Sequence, residues 1–304
     1  MTDARFVHIV DDVPELAERP EGHGPVLVTS LDGFLDAGNA SALASGHLTA
    51  QQSGRVVASF EVDEFYDYRA RRPPLTFVED HYADYEAPRL VVRLMEDRRG
   101  SSYLLMTGPE PDIRWEAFAA AVRTVVQHFD VRLVVSMGSV PMAVPHTRPV
   151  QLTNHATAQR LLVQENVWRG EIRVPASAQS LLELRLGEWG HDAMGFVAHI
   201  PHYVAQFDYP QAAVALLEGL EDVTGLEWEL ETLKEAGEAR QVEIATQIAD
   251  SDDVRDVVTG LEQPYDAYHT KSANLLADDE PLPSGEEIGA QFEQFLARLE
   301  EPEE

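Results

Sequence analysis

Short apolar runs alternate with amphipathic stretches over the first two thirds of the chain. Residues 26–31 form a mostly apolar run closed by Asp32-Gly33, the pattern of a strand buried on both faces. A Gly/Asp loop follows, and residues 39–52 then predict a helix of small residues with Asn39 as its N-cap. Residues 55–62 predict the next strand. Residues 89–95 and 101–107 are two more, joined by the charged turn Glu96-Asp97-Arg98-Arg99-Gly100 and suited to a hairpin. Pro109-Glu110-Pro111-Asp112 breaks the chain and opens a helix over 113–128, where proline and acidic residues suit the free N–H groups. Further strands are predicted at 131–137 and 194–199, and a further helix at 177–186. The segment from Ser139 to Pro149 is too proline-rich to be helical.

From about Tyr209 the pattern turns helical. Val254, Val257, Val258, Leu261, Tyr265 and Tyr268 recur every three or four residues, as do Ile288, Phe292, Phe295, Leu296 and Leu299. Ser284 and Glu287 have the spacing of a capping box for the last helix, after a polar linker at 275–283. The alternation predicts a three-layer α/β/α sandwich, and the hairpin predicts a mixed sheet. Two parts are expected: an α/β core at 1–225 and an acidic helical subdomain at 226–304.

Charge sharpens that division. The formal net charge is −30, and residues 210–304 carry −20 of it, with 25 acidic against 5 basic side chains. Such a field repels phosphate backbones and anionic lipid, so neither nucleic acid nor a membrane is expected as a partner. It suits either plain solubility or steering of a basic partner. No secretory leader and no membrane-length apolar run is visible, and cysteine is absent. A cytoplasmic protein without disulfides, thiolate metal sites or a cysteine nucleophile is expected.

The common nucleotide, hydrolase, dehydrogenase and zincin motifs are missing, and no metal or cofactor is expected. Three constellations remain. Asp32, Gly33, Asp36, Gly38 and Asn39 follow the first clear strand, where α/β sheets bind ligands. The aspartates have acid, base or ligand chemistry there, and equally the chemistry of turn capping. His146, His155, His199 and His202 fall in strand-end segments, and histidine pairs can bind zinc or move protons, or simply bond loop backbone. Arg69, Arg71 and Arg72 sit beside Tyr68 and Pro73-Pro74, a composition that can clamp an anion, form internal salt bridges or line a subunit interface. The four tryptophans read as core or interface residues.

Several segments together resemble the proteasome assembly chaperone 2 family, in its actinobacterial branch. They are Asp32-Gly33-Phe34-Leu35-Asp36-Ala37-Gly38, Asp67-Tyr68-Arg69-Ala70-Arg71-Arg72-Pro73, and Leu104 to Asp112, which adds Gly108 and Glu110 to the candidate crevice. The Pro141–Pro149 stretch adds Arg148 beside His146. Asn154-His155-Ala156-Thr157 and Gly195 to Tyr203 complete the set. The resemblance implies a phosphorylase/hydrolase-like three-layer core, self-association, and a non-enzymatic protein-binding or chaperone-like role with a partner related to the proteasome. It carries no catalytic residues. The alternative expectation is a hydrolase or transferase acting on a small molecule at the strand-end crevice. Proteasome-docking relatives end in a hydrophobic residue, a tyrosine and one more residue. The ending Leu299-Glu300-Glu301-Pro302-Glu303-Glu304 is not expected to insert in that way.

Overall fold

The computed structural model describes residues 5–17, 24–33, 35–163, 171–249 and 252–273. The chain forms two compact units, 1–262 and 263–304. The last predicted helix, its capping box and the acidic ending lie outside the described residues.

The first unit is built on an eight-stranded mixed sheet. Its strands are β1 (Val7–Ile9), β2 (Val26–Asp32), β3 (Arg55–Phe60), β6 (Val91–Glu96), β7 (Ser102–Pro109), β8 (Leu133–Met142), β9 (Leu152–Ala156) and β10 (Ala193–Pro201). They lie in the order β1-β3-β6-β7-β2-β8-β10-β9. The four central strands β7, β2, β8 and β10 are parallel, while β6 and β9 run against their neighbours. A separate two-stranded hairpin, β4 (Thr76–Val78) and β5 (His81–Ala83), stands apart from this sheet. The sequence pattern did not predict β1, β9 or this hairpin.

Residues alternate across the sheet because successive side chains of a strand point to opposite faces. In β2, Val26 and Val28 enter one core and Leu27 the other. The first core is closed by α2 (Ala40–Gln51), α5 (Pro210–Thr224) and α6 (Glu231–Ala249). The second is closed by α3 (Trp115–His128) and α4 (Ala178–Glu188), with the short α1 (Pro14–Ala17) at its margin. In α3 the buried Phe118, Val122, Val125 and Val126 recur every three or four residues and make one apolar stripe. Helices on both faces of a mixed sheet give the three-layer α/β/α architecture expected from the alternation.

Beyond α5, Leu226, Trp228, Leu230, Leu233 and Ile244 are buried in the same core as the sheet. In α7 (Asp252–Ala273), Val258 is buried and Val257 and Leu261 half-buried, which bears out the start of the predicted stripe.

Candidate functional site

The carboxyl ends of β2, β7, β8 and β10 meet at one rim of the sheet. The helices that follow β2 and β7 lie on opposite faces, which marks the position where α/β sheets form their crevice. Here the crevice is closed by internal bonds. Asp36 forms a parallel bridge with Ser139, so the chain after β2 runs on beside β8. Its carboxylate accepts from the backbone N–H of Ser41 and Ala42, at 2.8 and 2.9 Å, and from Ser139 Oγ at 2.8 Å. Asp36 therefore caps α2, correcting the expectation for Asn39. Asn39 is left-handed (φ 49°), and its Nδ2 donates to Asp208.

Gly38 completes this seam. Its N–H donates to the Ala205 carbonyl and its own carbonyl accepts from Tyr209 N–H, both at 2.8 Å. It has φ 67°, and a Cβ would stand 2.8 Å from Tyr209 Cβ, so only glycine fits comfortably. Replacing Asp36 by alanine is expected to cost about 1–2 kcal/mol through loss of the cap. Urea titration of the purified variant measures it, and an unchanged midpoint would contradict the capping role.

The second seam joins β2 to β7. Glu110 N–H donates to the Asp32 carbonyl at 2.8 Å, and the Glu110 carboxylate accepts from Ala178 N–H, in the first turn of α4, at 2.7 Å. Gly33 leaves room for the Glu110 side chain, which a Cβ would meet at 2.6 Å. Gly108 (φ 141°) lies against the Arg89 carbonyl, 2.2 Å from where its Cβ would be. Arg71 locks this region from outside. It donates to the Glu110 and Asp32 carbonyls, pairs with Asp112 at 2.8 Å and lies over the Tyr66 ring. Arg69 and Arg72 are exposed and form no ion pair among the described residues. Asp32 opens on the rim, yet partial desolvation raises its pKa; Asp36 adds to this and Arg71 opposes it.

The four histidines do not converge on one site, and only His146 and His202 share a neighbour. His146 and His202 flank Tyr203 in edge-on ring contacts, and the Tyr203 hydroxyl bonds His146 Nδ1 and N–H at 2.8 Å. Arg148 beside them pairs with Glu262. His199 is buried in β10, with Nε2 2.8 Å from Thr153 Oγ1 and Nδ1 without a partner among the described residues. His155 lies on edge strand β9, and its Nδ1 is held by the Glu183 carboxylate of α4 at 2.8 Å. Glu183 escaped sequence reading. The polar pair Gln179 and Glu183, one turn apart on α4, was the available signal. Gln179 also faces the sheet and donates to the Met137 carbonyl. Among the described residues no three His, Asp or Glu side chains stand together as a metal cage.

Two shallow recesses lie at or beside the rim. One, of about 600 Å³, is lined by Asn39, Phe207, Asp208 and Arg240. The other, of about 470 Å³, is lined by Asp32, Ser45, Thr49, Arg93 and Thr107. Each takes in one of the candidate crevice residues.

A mixed eight-stranded sheet between two helical layers, with its strand-end loops sewn to one another, defines a three-layer α/β/α protein of the PAC2 kind. Residues 30–248 match the model of the PAC2 family, and the chain belongs to that family. A Mycobacterium tuberculosis protein of unknown function is 43% identical, over 87% of this chain and 92% of that one, with a TM-score of 0.81. A Corynebacterium glutamicum protein of unknown function is 33% identical, over 86% and 97%, with a TM-score of 0.81. A proteasome-assembly chaperone homologue from M. tuberculosis is 28% identical, over 77% of this chain and 99% of that one, with a TM-score of 0.71. No curated protein matches the chain. No helix among the described residues is long and apolar enough to cross a membrane.

Proposed function

We propose that this protein is a non-enzymatic, homo-oligomeric protein-binding module of the cytoplasm that acts as a chaperone for a proteasome-related partner. The observation that carries this reading is the similarity, over 99% of its length, to a proteasome-assembly chaperone homologue. The site supports it as well, since Asp36, Glu110 and Arg71 spend their bonding capacity on holding loops together. Their conserving of loop shape suits a binding surface. The net charge of −30 favours a basic protein patch over nucleic acid or lipid. In this reading the acidic helical part beyond residue 225, whose first half packs into the core of the sheet, steers such a partner. Affinity capture from native cytosol tests the proposal. A reproducible protein partner, lost at high salt, is expected. Retention of a small metabolite without any protein would overturn it.

One observation favours the alternative of a hydrolase or transferase. Ser136, Gly195 and His155 are paired in a row across β8, β10 and β9. A Cβ on Gly195 would stand 2.2 Å from Ser136 Oγ and 2.8 Å from His155 Nε2, so hydroxyl and imidazole lean into one gap. Glu183 orients the far side of the imidazole, as in a nucleophile–base–carboxylate relay. Ser136 is nearly buried, however, and its hydroxyl already points to the Met194 carbonyl at 3.4 Å. Labelling by a fluorophosphonate that disappears in Ser136→Ala would establish this alternative. Absence of labelling in the wild-type protein would remove it.

A further inference from the structure

Arg93 stands on β6 with its side chain on the α2 face of the sheet, because its neighbours Val92 and Leu94 enter the opposite core. Val56, its cross-strand partner on β3, is exposed, so this part of the sheet face lies beyond the cover of α2. Arg93 Nη1 donates to Thr107 Oγ1 on β7 at 2.9 Å. The guanidinium forms no ion pair among the described residues, whereas the equally half-buried Arg71, Arg148, Arg185 and Arg240 all do. Carboxylates outnumber cations in this chain by 53 to 23, so the lack of a partner is not a shortage of acids.

The recess of about 470 Å³ between α2 and the sheet is lined by Arg93 and Thr107 and also by Asp32. Asp32 lies two residues beyond Ser30, the ladder partner of Thr107. Its carboxylate likewise has no hydrogen bond or ion pair among the described residues. One recess therefore holds a cation and an anion that do not bridge to each other. Ser45 and Thr49 of α2 line it too. Their hydroxyls give their protons to the helix carbonyls of Ala42 and Ser45, so toward a guest they act as acceptors. Gly46 of α2 adds no side chain, and a Cβ there would meet nothing within 4 Å.

These groups select a chemistry. The arginine fork takes a carboxylate in two parallel bonds. Asp32 and the hydroxyl lone pairs call for donors, which an ammonium supplies. Phosphate suits the recess less, since Arg93 is its one cation among the described residues and a dianion would face Asp32 and the net charge of −30. The lining has no aromatic ring among the described residues on which a nucleobase could stack.

We propose that the recess between α2 and the sheet binds a free α-amino acid, its carboxylate on Arg93 and its ammonium on Asp32. The site is independent of the protein-binding reading above. Saturation-transfer NMR with each protein amino acid in turn, at millimolar concentration, tests it, and titration gives the affinities. One or more amino acids are expected to bind, and the matching deaminated acid and decarboxylated amine to bind about tenfold more weakly or worse. Arg93→Met is expected to weaken amino-acid binding about tenfold or more, as loss of a charge-assisted contact does. Asp32→Asn is expected to weaken the amino acid but not the deaminated acid, a split that a merely structural role would not produce. Gly46→Leu fills the recess from a helix position where leucine is the better helix former, so binding is lost while the melting temperature is kept. Failure of every amino acid to bind would overturn the proposal. So would the deaminated acid or inorganic phosphate binding as tightly as the amino acid, which would make this a simple anion site. An affinity indifferent to Arg93→Met or to Gly46→Leu would place the binding elsewhere and overturn it as well.

Discussion

Replacing Trp228 by alanine is expected to destabilise the protein by about 3–5 kcal/mol, the usual effect of emptying a buried tryptophan site. Trp228 is 4% exposed, and its ring meets Tyr103 edge-on at 5.7 Å. Its Nε1–H donates to the Tyr103 hydroxyl at 3.2 Å, so the truncation also strands a buried polar group. The backbone around it is pinned on both sides. Trp228 N–H donates to the Glu221 carboxylate and Glu227 N–H to the Asp97 carboxylate. Trp228 thus fastens the segment between α5 and α6 to the β6–β7 hairpin. Chemical denaturation monitored by far-ultraviolet circular dichroism gives the free energy. Trp228→Phe, which keeps an aromatic ring against Tyr103 but loses the N–H bond and part of the indole volume, should recover part of it. A loss below about 1 kcal/mol for alanine would show that the segment is not part of the cooperative core.

The second large effect is a loss of stability on mild acidification, centred on His199. Burial pushes this imidazole down from its ordinary 6.5 to about 4, because the charged form would lose its water. Nδ1 has no partner among the described residues to compensate. A depressed folded-state value means that the unfolded chain binds the proton first as pH falls. The stabilisation is therefore present above about 6.5, declines between 6.5 and about 4, and is lost below that. The full difference is about 3 kcal/mol, at 1.36 kcal/mol per unit. His146 and His191 shift in the same direction, also mainly by burial. Asp32 acts in the opposite sense, since its raised pKa makes protonation favourable in the fold. His199→Leu should remove most of the pH dependence between 6.5 and 4.5, read as the difference between the two denaturation curves. Parallel curves for wild type and variant would contradict the assignment.

Arg71 illustrates where sequence reading stops. Its company of Tyr68, Arg69, Arg72 and two prolines suits an interface, an anion clamp or an internal bridge equally well. In the fold it reaches the Glu110 and Asp32 carbonyls and Asp112, contacts that lie some forty residues away. Arg71→Glu would thus disturb the rim directly and report poorly on assembly. Arg69 and Arg72, one or two positions away, remain exposed. The same limit applies to Asp36. Its sequence neighbourhood contains both the capping chemistry and the catalytic chemistry, and only the positions of Ser41, Ala42 and Ser139 around its carboxylate decide between them.

Local pattern by itself determined the central architecture. Apolar runs of strand length, the charged turn before β7, the proline-led start near α3 and the three-to-four spacing of the helices all follow from short-range physics. They therefore predicted a mixed sheet between helical layers. The segments resembling the PAC2 family fall partly in strands, with 104–109 in β7, 154–156 in β9 and 195–201 in β10, and partly in the loops around them. Tertiary structure alone decided the rest. Edge strands β1 and β9 are too short to signal themselves, and they exist because a neighbouring strand offers free backbone groups. The histidines share a stretch of sequence but face different partners, because position along a strand sets the face and pairing register sets the neighbour. The hairpin at 76–83 is written in a segment crowded with proline and acid. Only the folded chain shows that its aromatic side chains find no core of their own.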